Sequence, residues 1–456
     1  MTDRMVTRDL AEWIVGLGAD DIPARTREEG VRSFVNWIGC AAGGADHETV
    51  ESALRGLAPF SGPASSTVIG RTERLDALHA ALMNGISSHV LDYDDTHLKT
   101  IIHPAGPVAS ALLALAELRP MSGRDFVTAL VTGIEVECRI GNAVYPDHYD
   151  RGWHITGTAG VFGAAAACGK VIGLDRLRMQ WALSLAGTQA SGLREMFGTM
   201  TKSFHPGTAA QNGLKSALLA EAGFDSSERG IEAKRGWANV ASDKQDYDEI
   251  LGGLGAHWEA DLNSYKPFAC GIVIHPTIDG CQQIREEIGA DRIGDIARVD
   301  LKTHPLVLEL TGKRTPKTGL EGKFSVYHSA ACALLRGDGA PTAFTDEVVN
   351  LPELVALRDR VHAEADPQMH EAAVEITVTF SDGTTLDKRV DRAIGSRERP
   401  LTNEQIETKF LNQARLVVGD KVAQGLLAAA WAVDSPGTDP AAIARASVPR
   451  DQAAAQ

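Results

Sequence analysis

The chain has 456 residues, 44% of them hydrophobic, and a mean hydropathy of −0.11. These values predict a folded globular protein with a large buried core, long enough for two domains. A formal net charge of −15 and the lack of a Lys/Arg cluster argue against a nucleic-acid partner. Six widely spaced cysteines predict reduced core side chains. No signal-length apolar segment and no uncharged apolar run of about 18 residues occurs, which predicts a cytoplasmic protein without a membrane partner.

The first half of the chain, from Asp9 to about Asp261, has an almost entirely helical pattern, because its apolar residues recur at spacings of three and four. The predicted helices cover residues 31–45, 76–88, 108–118, 123–144, 157–172, 176–188 and 211–222.

The pattern changes near Tyr265. Residues 374–380 alternate strictly, and Asp382-Gly383 separates them from 386–390, which predicts a β-hairpin. A weaker strand is predicted at 296–301, with helices at 323–335 and 346–364. Thr402 and Gln405 then form a capping box for a helix to residue 414, and 420–432 is helical again. The predicted architecture is mainly α: a helical domain from residues 1–264 and 399–435, a smaller α+β lid domain at 265–398, and a flexible tail at 436–456.

The segment 89–106 is the first candidate site. It reads His-Val-Leu-Asp-Tyr-Asp-Asp-Thr-His-Leu-Lys-Thr-Ile-Ile-His-Pro-Ala-Gly and gathers three aspartates, three histidines and a lysine in an apolar helical region. These side chains cannot share one helix face, so the segment must break into a loop. Pro104 and Gly106 mark the start of a new helix, whose backbone N–H groups would face the polar side chains and suit an anion.

Three further motifs could carry chemistry. Residues 152–158 place His154 at a predicted helix start, although a capped core histidine would look the same. Residues 194–207 form a polar loop with Arg194, Lys202 and His205, for which a plain surface connection is the alternative. Residues 265–276 begin with Tyr265 and Lys266 and reach His275. Here Lys266 could equally be a solvated hinge residue.

Together these motifs resemble the MmgE/PrpD family. The resemblance rests on residues 85–106, Gly-Trp-His-Ile-Thr-Gly-Thr at 152–158, Thr-Lys-x-x-His-x-Gly-x-Ala-Ala at 201–210, Tyr-Lys-Pro-Phe at 265–268, and Pro-Leu-Thr at 400–402 with Lys409-Phe410. It extends from about residue 8 to about 435. The family includes 2-methylcitrate dehydratase, cis-aconitate decarboxylase and iminodisuccinate epimerase. The resemblance implies a helical domain with an α+β lid, a homodimer, and no required cofactor or metal.

By this resemblance, Asp92, His103, His154 and Lys202 are the expected catalytic residues, with Lys266 at the domain junction. His154 is the expected proton carrier, because a histidine titrates near neutral pH. The lysines would bind substrate carboxylates, which gives an acidic protein a cationic pocket. The remaining candidates for substrate binding are Arg194, His205, Tyr265 and His275. We therefore expect a cofactor-independent, dehydratase-type lyase acting on a small di- or tricarboxylate. The alternatives are an epimerase of a dicarboxylate such as iminodisuccinate and a cis-aconitate-type decarboxylase.

Three other classes fit less well. Residues 92–95 match the Asp-x-Asp-Asp motif of some terpene cyclases, but 12 Phe, 7 Trp and 6 Tyr residues are too thinly spread for an aromatic pocket. A metal hydrolase could use Asp92, Asp94, His97 and His103, but Lys99 within that cluster suits an anion better. A non-catalytic helical scaffold would not need several polar loops of this kind.

Overall fold

The computed structural model describes residues 4–449. Its first part is helical, with three short strands. The helices are α1 (Val6–Gly16), α2 (Ala24–Gly43), α3 (Glu48–Leu57), α4 (Ala77–Val90), α5 (Ala105–Ala116), α6 (Gly123–Val144), α7 (Asp147–Asp150), α8 (Ile155–Ile172), α9 (Arg176–Gly187), α10 (Thr201–Glu221), α11 (Trp237–Ala241) and α12 (Tyr247–Leu251). The strands are β1 (Ser66–Thr67), β2 (Arg74–Leu75) and β3 (Asp95–His97).

Helix α8 lies at the centre of this part, packed against α5, α6, α9 and α10. Small residues allow the close approach: a Cβ atom added at Gly163 would lie 2.7 Å from the carbonyl oxygen of Gly133 on α6. Among the described helices, α8 alone has the length and hydropathy of a membrane span, but 83% of it is buried inside the protein. It is therefore the core helix of this domain.

The second part of the chain builds an α+β domain. Its elements are β4 (Asn263–Tyr265), α13 (His275–Ile288), β5 (Ile296–Thr303), α14 (Pro305–Thr311), α15 (Gly319–Gly322), α16 (Val326–Arg336), α17 (Asp346–Val349), α18 (Pro352–Arg358), β6 (Val361–Ala365), β7 (Val374–Phe380) and β8 (Thr385–Val390). Strands β6-β5-β7-β8 form one sheet, in which only β5 and β6 pair in parallel. Buried side chains of β5 and β7 form a second core with α13 and α16.

The chain then returns to the helical part through α19 (Asn403–Val418), α20 (Asp420–Trp431) and α21 (Pro440–Ala446). The predicted capping box of Thr402 and Gln405 begins α19. Helix α19 packs on α2, where the Phe410 ring lies against Gly39. Core residues from α19 and α20 join those of α2, α4 and α6 in one cluster.

The mainly α fold with an α+β portion is confirmed, and helix 123–144, strand 374–380 and the Asp382-Gly383 turn agree with the prediction. Three local predictions are wrong. The single helix predicted at 346–364 is two short helices, α17 and α18, the second of which ends at Arg358, and 361–365 forms β6 because it pairs with β5. The predicted flexible tail contains α21, whose Ile443 packs in the first core. The rest of that tail from residue 450 lies outside the described residues, as do residues 1–3.

The third correction concerns 194–207, predicted as a loop. Helix α10 already begins at Thr201, so Lys202 and His205 stand on its first two turns. Pro206 and Gly207 are poor helix formers, but packing overrides their propensity. Gly207 lies directly against α4, where a Cβ atom added at Gly85 would be 2.5 Å from the Gly207 Cα.

Candidate functional site

A small cavity of about 40 Å³ lies where the two parts of the chain meet. The antiparallel pair β3–β4 brings them together, with Asp95 opposite Tyr265. The pairing places Lys266 next to the polar segment that follows α4. Tyr149 and Thr311 form part of the cavity wall, and its charged and imidazole side chains are Asp92, His103, His154, Lys202 and Lys266. These are the five residues that the family resemblance singles out.

Asp92 connects the two lysines. Its Oδ1 atom lies 2.6 Å from Lys266 Nζ and 2.9 Å from Lys202 Nζ. Its φ of 51° is left-handed, a conformation that aspartate tolerates better than most residues. Burial alone would raise the pKa of Asp92, but the two ammonium groups outweigh burial and hold the pKa well below its usual range. Asp92 is therefore a carboxylate, and this trio carries one excess positive charge.

The turn around Asp92 is held by two more buried lysines. Lys323 Nζ donates to the carbonyl oxygen of Leu91 at 2.6 Å, and Lys409 Nζ donates to that of Tyr93 at 2.5 Å. Burial lowers the pKa of both lysines to about 8. Residues 91–93 thus receive hydrogen bonds from four lysines on separate elements, which fixes the strained turn.

His103 has a defined tautomer. Its Nδ1 atom lies 2.7 Å from the carbonyl oxygen of Asp95, which can only accept, so Nδ1 carries the proton. The Nε2 atom of the neutral ring then keeps its lone pair. Burial lowers the pKa of His103 well below its usual value. A neutral imidazole with a free Nε2 lone pair is suited to accept a proton in the cavity.

His154 precedes α8 at the N-cap position, but its side chain makes no capping hydrogen bond. Instead, His154 Nδ1 lies 2.8 Å from Nδ1 of His205 on α10. The Phe197 ring packs edge-on against the His154 ring, with 5.0 Å between centroids. Burial lowers the pKa of His154 strongly and that of His205 to about 4, so both rings are neutral near pH 7.

Asp95 has a structural role. Its carboxyl group accepts from Ser33 at 2.9 Å and Asn263 at 2.6 Å, and from the backbone N–H of Ala105 at the start of α5. Burial, with the nearby charge of Asp94, raises the pKa of Asp95 to about 7. The backbone N–H at this helix start, predicted to suit an anion, therefore donates to the protein's own Asp95 carboxyl group.

Other predicted site residues lie outside the cavity wall. Arg194 stacks on the Tyr149 ring at 4.0 Å and pairs with Glu309. Tyr265 donates its hydroxyl to Glu29 in the helical core. His275 packs against Phe268 and lines a neighbouring cavity of about 360 Å³.

The polar residues of segment 89–106 likewise do not all lie at the cavity. Lys99 pairs with Glu249 at the surface, and His97 lies between Thr100 and Glu259. The metal set Asp92, Asp94, His97 and His103 is therefore not brought together. A different set, His89, Asp94 and His103, has ligand atoms within 4.8 Å of one another. This set could geometrically hold a metal ion, but the ammonium groups of Lys202 and Lys266 beside it oppose a cation.

Several residues around the site have no predicted role, although His89 belongs to the candidate segment 89–106. His89 donates from Nδ1 to Asp94 at 2.7 Å, and its ring packs against those of His103 and His154. Its place in the last turn of an apolar helix was the available signal. Phe197 and Phe324 line the cavity and lie 5.4 Å from Lys202 Nζ. No local pattern marked these two aromatic residues.

Two family profiles match the chain. The profile of the MmgE/PrpD N-terminal domain matches residues 8–250, and that of the MmgE/PrpD C-terminal domain matches residues 268–434. The chain belongs to the MmgE/PrpD family. This family assignment confirms the resemblance carried by the five motifs and shows an enzyme of the MmgE/PrpD type.

Similar members of the MmgE/PrpD family have named activities. The chain is 27% identical to cis-aconitate decarboxylase of Aspergillus terreus over 443 residues, which cover 91% of this chain and 90% of that protein. It is 28% identical to human cis-aconitate decarboxylase, over 92% of this chain and 90% of that protein. Identity to 2-methylcitrate dehydratase of Cupriavidus necator is 23%, over 83% and 84%.

Proposed function

We propose that this protein is a lyase that acts on a small tricarboxylate or dicarboxylate by proton transfer at carbon. The observation that carries the proposal is the sharing of one cavity by two neutral imidazoles, His103 and His154, and by the Asp92–Lys202–Lys266 trio. Such a site can bind an anion and move a proton beside it. Lyases of polycarboxylates need both abilities, because their intermediates carry negative charge next to a carboxylate.

The lysines supply the anion binding. Lys202 and Lys266 share one carboxylate, so an ammonium charge is left for the substrate. The low polarity of the wall, with Phe197 and Phe324 beside Lys202, strengthens this attraction. The same charge would stabilise an enolate-like intermediate, in which a carboxylate next to the reacting carbon gains electron density.

The histidines supply the proton transfer. His103 offers the Nε2 lone pair of a neutral ring, and His154 lies across the same cavity with its Nδ1 atom engaged by His205. In a dehydration, one group removes a carbon-bound proton and the other protonates the departing hydroxyl group. In a decarboxylation, the bond to the carboxyl carbon breaks and CO₂ leaves. The electron pair stays on the substrate carbon that carried the carboxyl group, and an imidazole N–H protonates this remaining carbon.

Decarboxylation of a cis-aconitate-type substrate is the reaction we place first. The support is the higher identity to proteins named cis-aconitate decarboxylase than to those named 2-methylcitrate dehydratase. Dehydration of a 2-methylcitrate-type substrate is second, and its support is the similarity to 2-methylcitrate dehydratases. Both reactions use the same cavity, and they differ in whether CO₂ or water leaves.

Substrate entry would require the two parts of the chain to separate. The cavity of about 40 Å³ is far below the roughly 300 Å³ at which ligand pockets begin. Its wall combines residues of the helical part with Lys266, Ile272 and Phe324 from the second part. A small opening at this boundary would enlarge the cavity, which fits the expected lid role of the second domain.

The test is a substrate panel followed by proton NMR in deuterated water. EDTA-treated protein is incubated with cis-aconitate, citrate, 2-methylcitrate, malate-type substrates and iminodisuccinate. Release of CO₂ from cis-aconitate, with one deuterium on the product carbon, supports decarboxylation, whereas a new alkene signal from a hydroxy acid supports dehydration. Deuterium exchange without elimination would overturn the lyase proposal in favour of epimerisation. Activity that appears only after a divalent metal is added would contradict the metal-free reaction.

A further inference from the structure

His154 on the cavity wall and His205 behind it form a pair in which only one of the two facing nitrogens carries a proton. A neutral imidazole carries a single N–H, and His154 and His205 meet Nδ1 to Nδ1 at 2.8 Å. A hydrogen bond between two Nδ1 atoms requires that one ring carries its proton on Nδ1 and the other on Nε2. The two rings are therefore opposite tautomers.

The position of His205 differs from that of a substrate ligand. It stands on α10 behind His154 and is absent from the described wall of the cavity. Two glycines pack closely against the His205 side chain. A Cβ atom added at Gly192 would lie 3.1 Å from His205 Cγ, and one added at Gly157 would lie 3.1 Å from His205 Cβ. His154 is fixed as well, because its backbone N–H donates to the Gly192 carbonyl oxygen at 3.0 Å. The Nδ1–Nδ1 contact is thus held from both sides.

We propose that His205 is a positioning and relay residue that keeps the proton of resting His154 on the cavity side and supplies a proton to Nδ1 of His154 as the Nε2 proton is transferred. His205 donates its Nδ1 proton to Nδ1 of His154, so His154 carries its own proton on Nε2, the ring atom that remains for the cavity. The inference rests on the proposed function, because it gives His154 the role of proton donor to the substrate carbanion.

The step balances without a charged imidazole. The bond to the leaving carboxyl group breaks, CO₂ departs, and the electron pair left on carbon takes the Nε2 proton of His154. The Nδ1 proton of His205 moves to Nδ1 of His154, and a proton from water arrives at Nε2 of His205, leaving hydroxide that combines with the released CO₂ as hydrogen carbonate. Carbon has then gained one proton, and each ring has changed tautomer while staying neutral. After the product leaves, water returns a proton to Nε2 of His154, the Nδ1 proton of His154 moves back to His205, and His205 releases its Nε2 proton to water, which restores the starting tautomers.

This relay resolves a difficulty in the site. Burial disfavours a charged imidazole at His154, which is 2% exposed, so a stored imidazolium proton is not available there near neutral pH. A neutral donor can still act if its proton is replaced as it leaves. His205, 5% exposed, has the contact with solvent that replacement requires.

The first test compares His205→Gln with His328→Gln. The glutamine variant at 205 can hold a hydrogen bond to His154 but cannot pass a proton through a ring, so we expect kcat to fall about 10- to 100-fold with KM within about twofold of wild type. His328 is another buried histidine, and its side chain bonds only a backbone carbonyl, that of Ala343, in its described contacts. Its variant should keep wild-type kcat. Unchanged kcat in the His205 variant, or a raised KM alone, would overturn the relay.

The second test does not depend on activity. In wild-type protein labelled with ¹⁵N-histidine, the ring nitrogen shifts should show His205 as the Nδ1–H tautomer and His154 as the Nε2–H tautomer, with signals assigned from the single variants. Finding the same tautomer in both rings, or the reverse arrangement, would refute the proposal even if His205→Gln fails to fold. If wild type acts on no substrate in the panel, the proposed function fails. The ring nitrogen shifts still show whether His205 donates its Nδ1 proton to His154.

Discussion

Replacing Asp92 with asparagine tests the charge balance of the site. Asparagine has the same shape and tolerates the left-handed φ of 51°, so the backbone turn can persist. The ammonium groups of Lys202 and Lys266 then stay buried, 2.9 and 2.6 Å from a neutral side chain. Removing one partner of a buried ion pair typically costs about 3–5 kcal/mol. With roughly 2.1 cal/mol/K of unfolding entropy per residue, a loss of about 4 kcal/mol lowers Tm by about 4 °C.

The assay is thermal unfolding of Asp92→Asn beside Asp300→Asn. Asp300 pairs with Arg298 on the surface and is 41% exposed, so its variant should lose less than about 1 kcal/mol. A tricarboxylate should raise the Tm of Asp92→Asn more than that of wild type, because a substrate carboxylate can replace the missing charge. A Tm for Asp92→Asn equal to that of the Asp300 control would refute the reasoning.

Three further outcomes are expected. His154→Ala should lower kcat at least about a hundredfold, whereas Lys266→Met should mainly raise KM. A raised KM in His154→Ala with a lowered kcat in Lys266→Met would contradict proton transfer by His154 and substrate binding by Lys266. Gly85→Ala should destabilise the fold by about 1–3 kcal/mol in urea unfolding because its Cβ atom meets the backbone of α10, while Gly425→Ala, on the exposed face of α20, should stabilise it by up to about 1 kcal/mol. Burial lowers the pKa of His328 from 6.5 to about 4, so the unfolded state binds the proton first and stability should fall as pH drops from 6.5 to 4. The loss is about 3 kcal/mol for this group, and His328→Gln should show a correspondingly flatter pH profile.

The sequence predicted those elements whose local pattern and packing agree. Residues 123–144 and 374–380 have complete helical and strand periodicity, and both are found with those limits. Strand β6 was missed because Val361–Ala365 gains its structure from parallel pairing with β5, a contact between distant parts of the chain. The start of α10 was missed because Pro206 and Gly207 suggest a loop, and only packing against α4 makes them helical.

The residues of the candidate site also fall into two groups: those with a local signal in the sequence and those that are positioned by contacts between distant segments. Asp92 and His103 stood out as polar residues in an apolar region, which is a local signal. The pairing of Lys266 with Asp92 depends on β3–β4, two strands of three residues each that are too short to predict. His205 was predicted to bind substrate, and its contact with His154 could not be read from the sequence because it joins α10 to the start of α8. Whether it contacts substrate is a prediction that the relay experiment addresses.

Lys409 connects the last part of the chain to the Asp92 turn in the first part, across the boundary between the two family profiles. Its ammonium group reaches the carbonyl oxygen of Tyr93 and the side chain of Asn36, although it lies within the profile of the C-terminal domain. A fragment that stops near residue 400 would lack the helix that closes the first core and the donor that holds the Asp92 turn. Exchange of domains between relatives should therefore keep residues 401–434 with the N-terminal segment, because α19 and α20 pack in the first core.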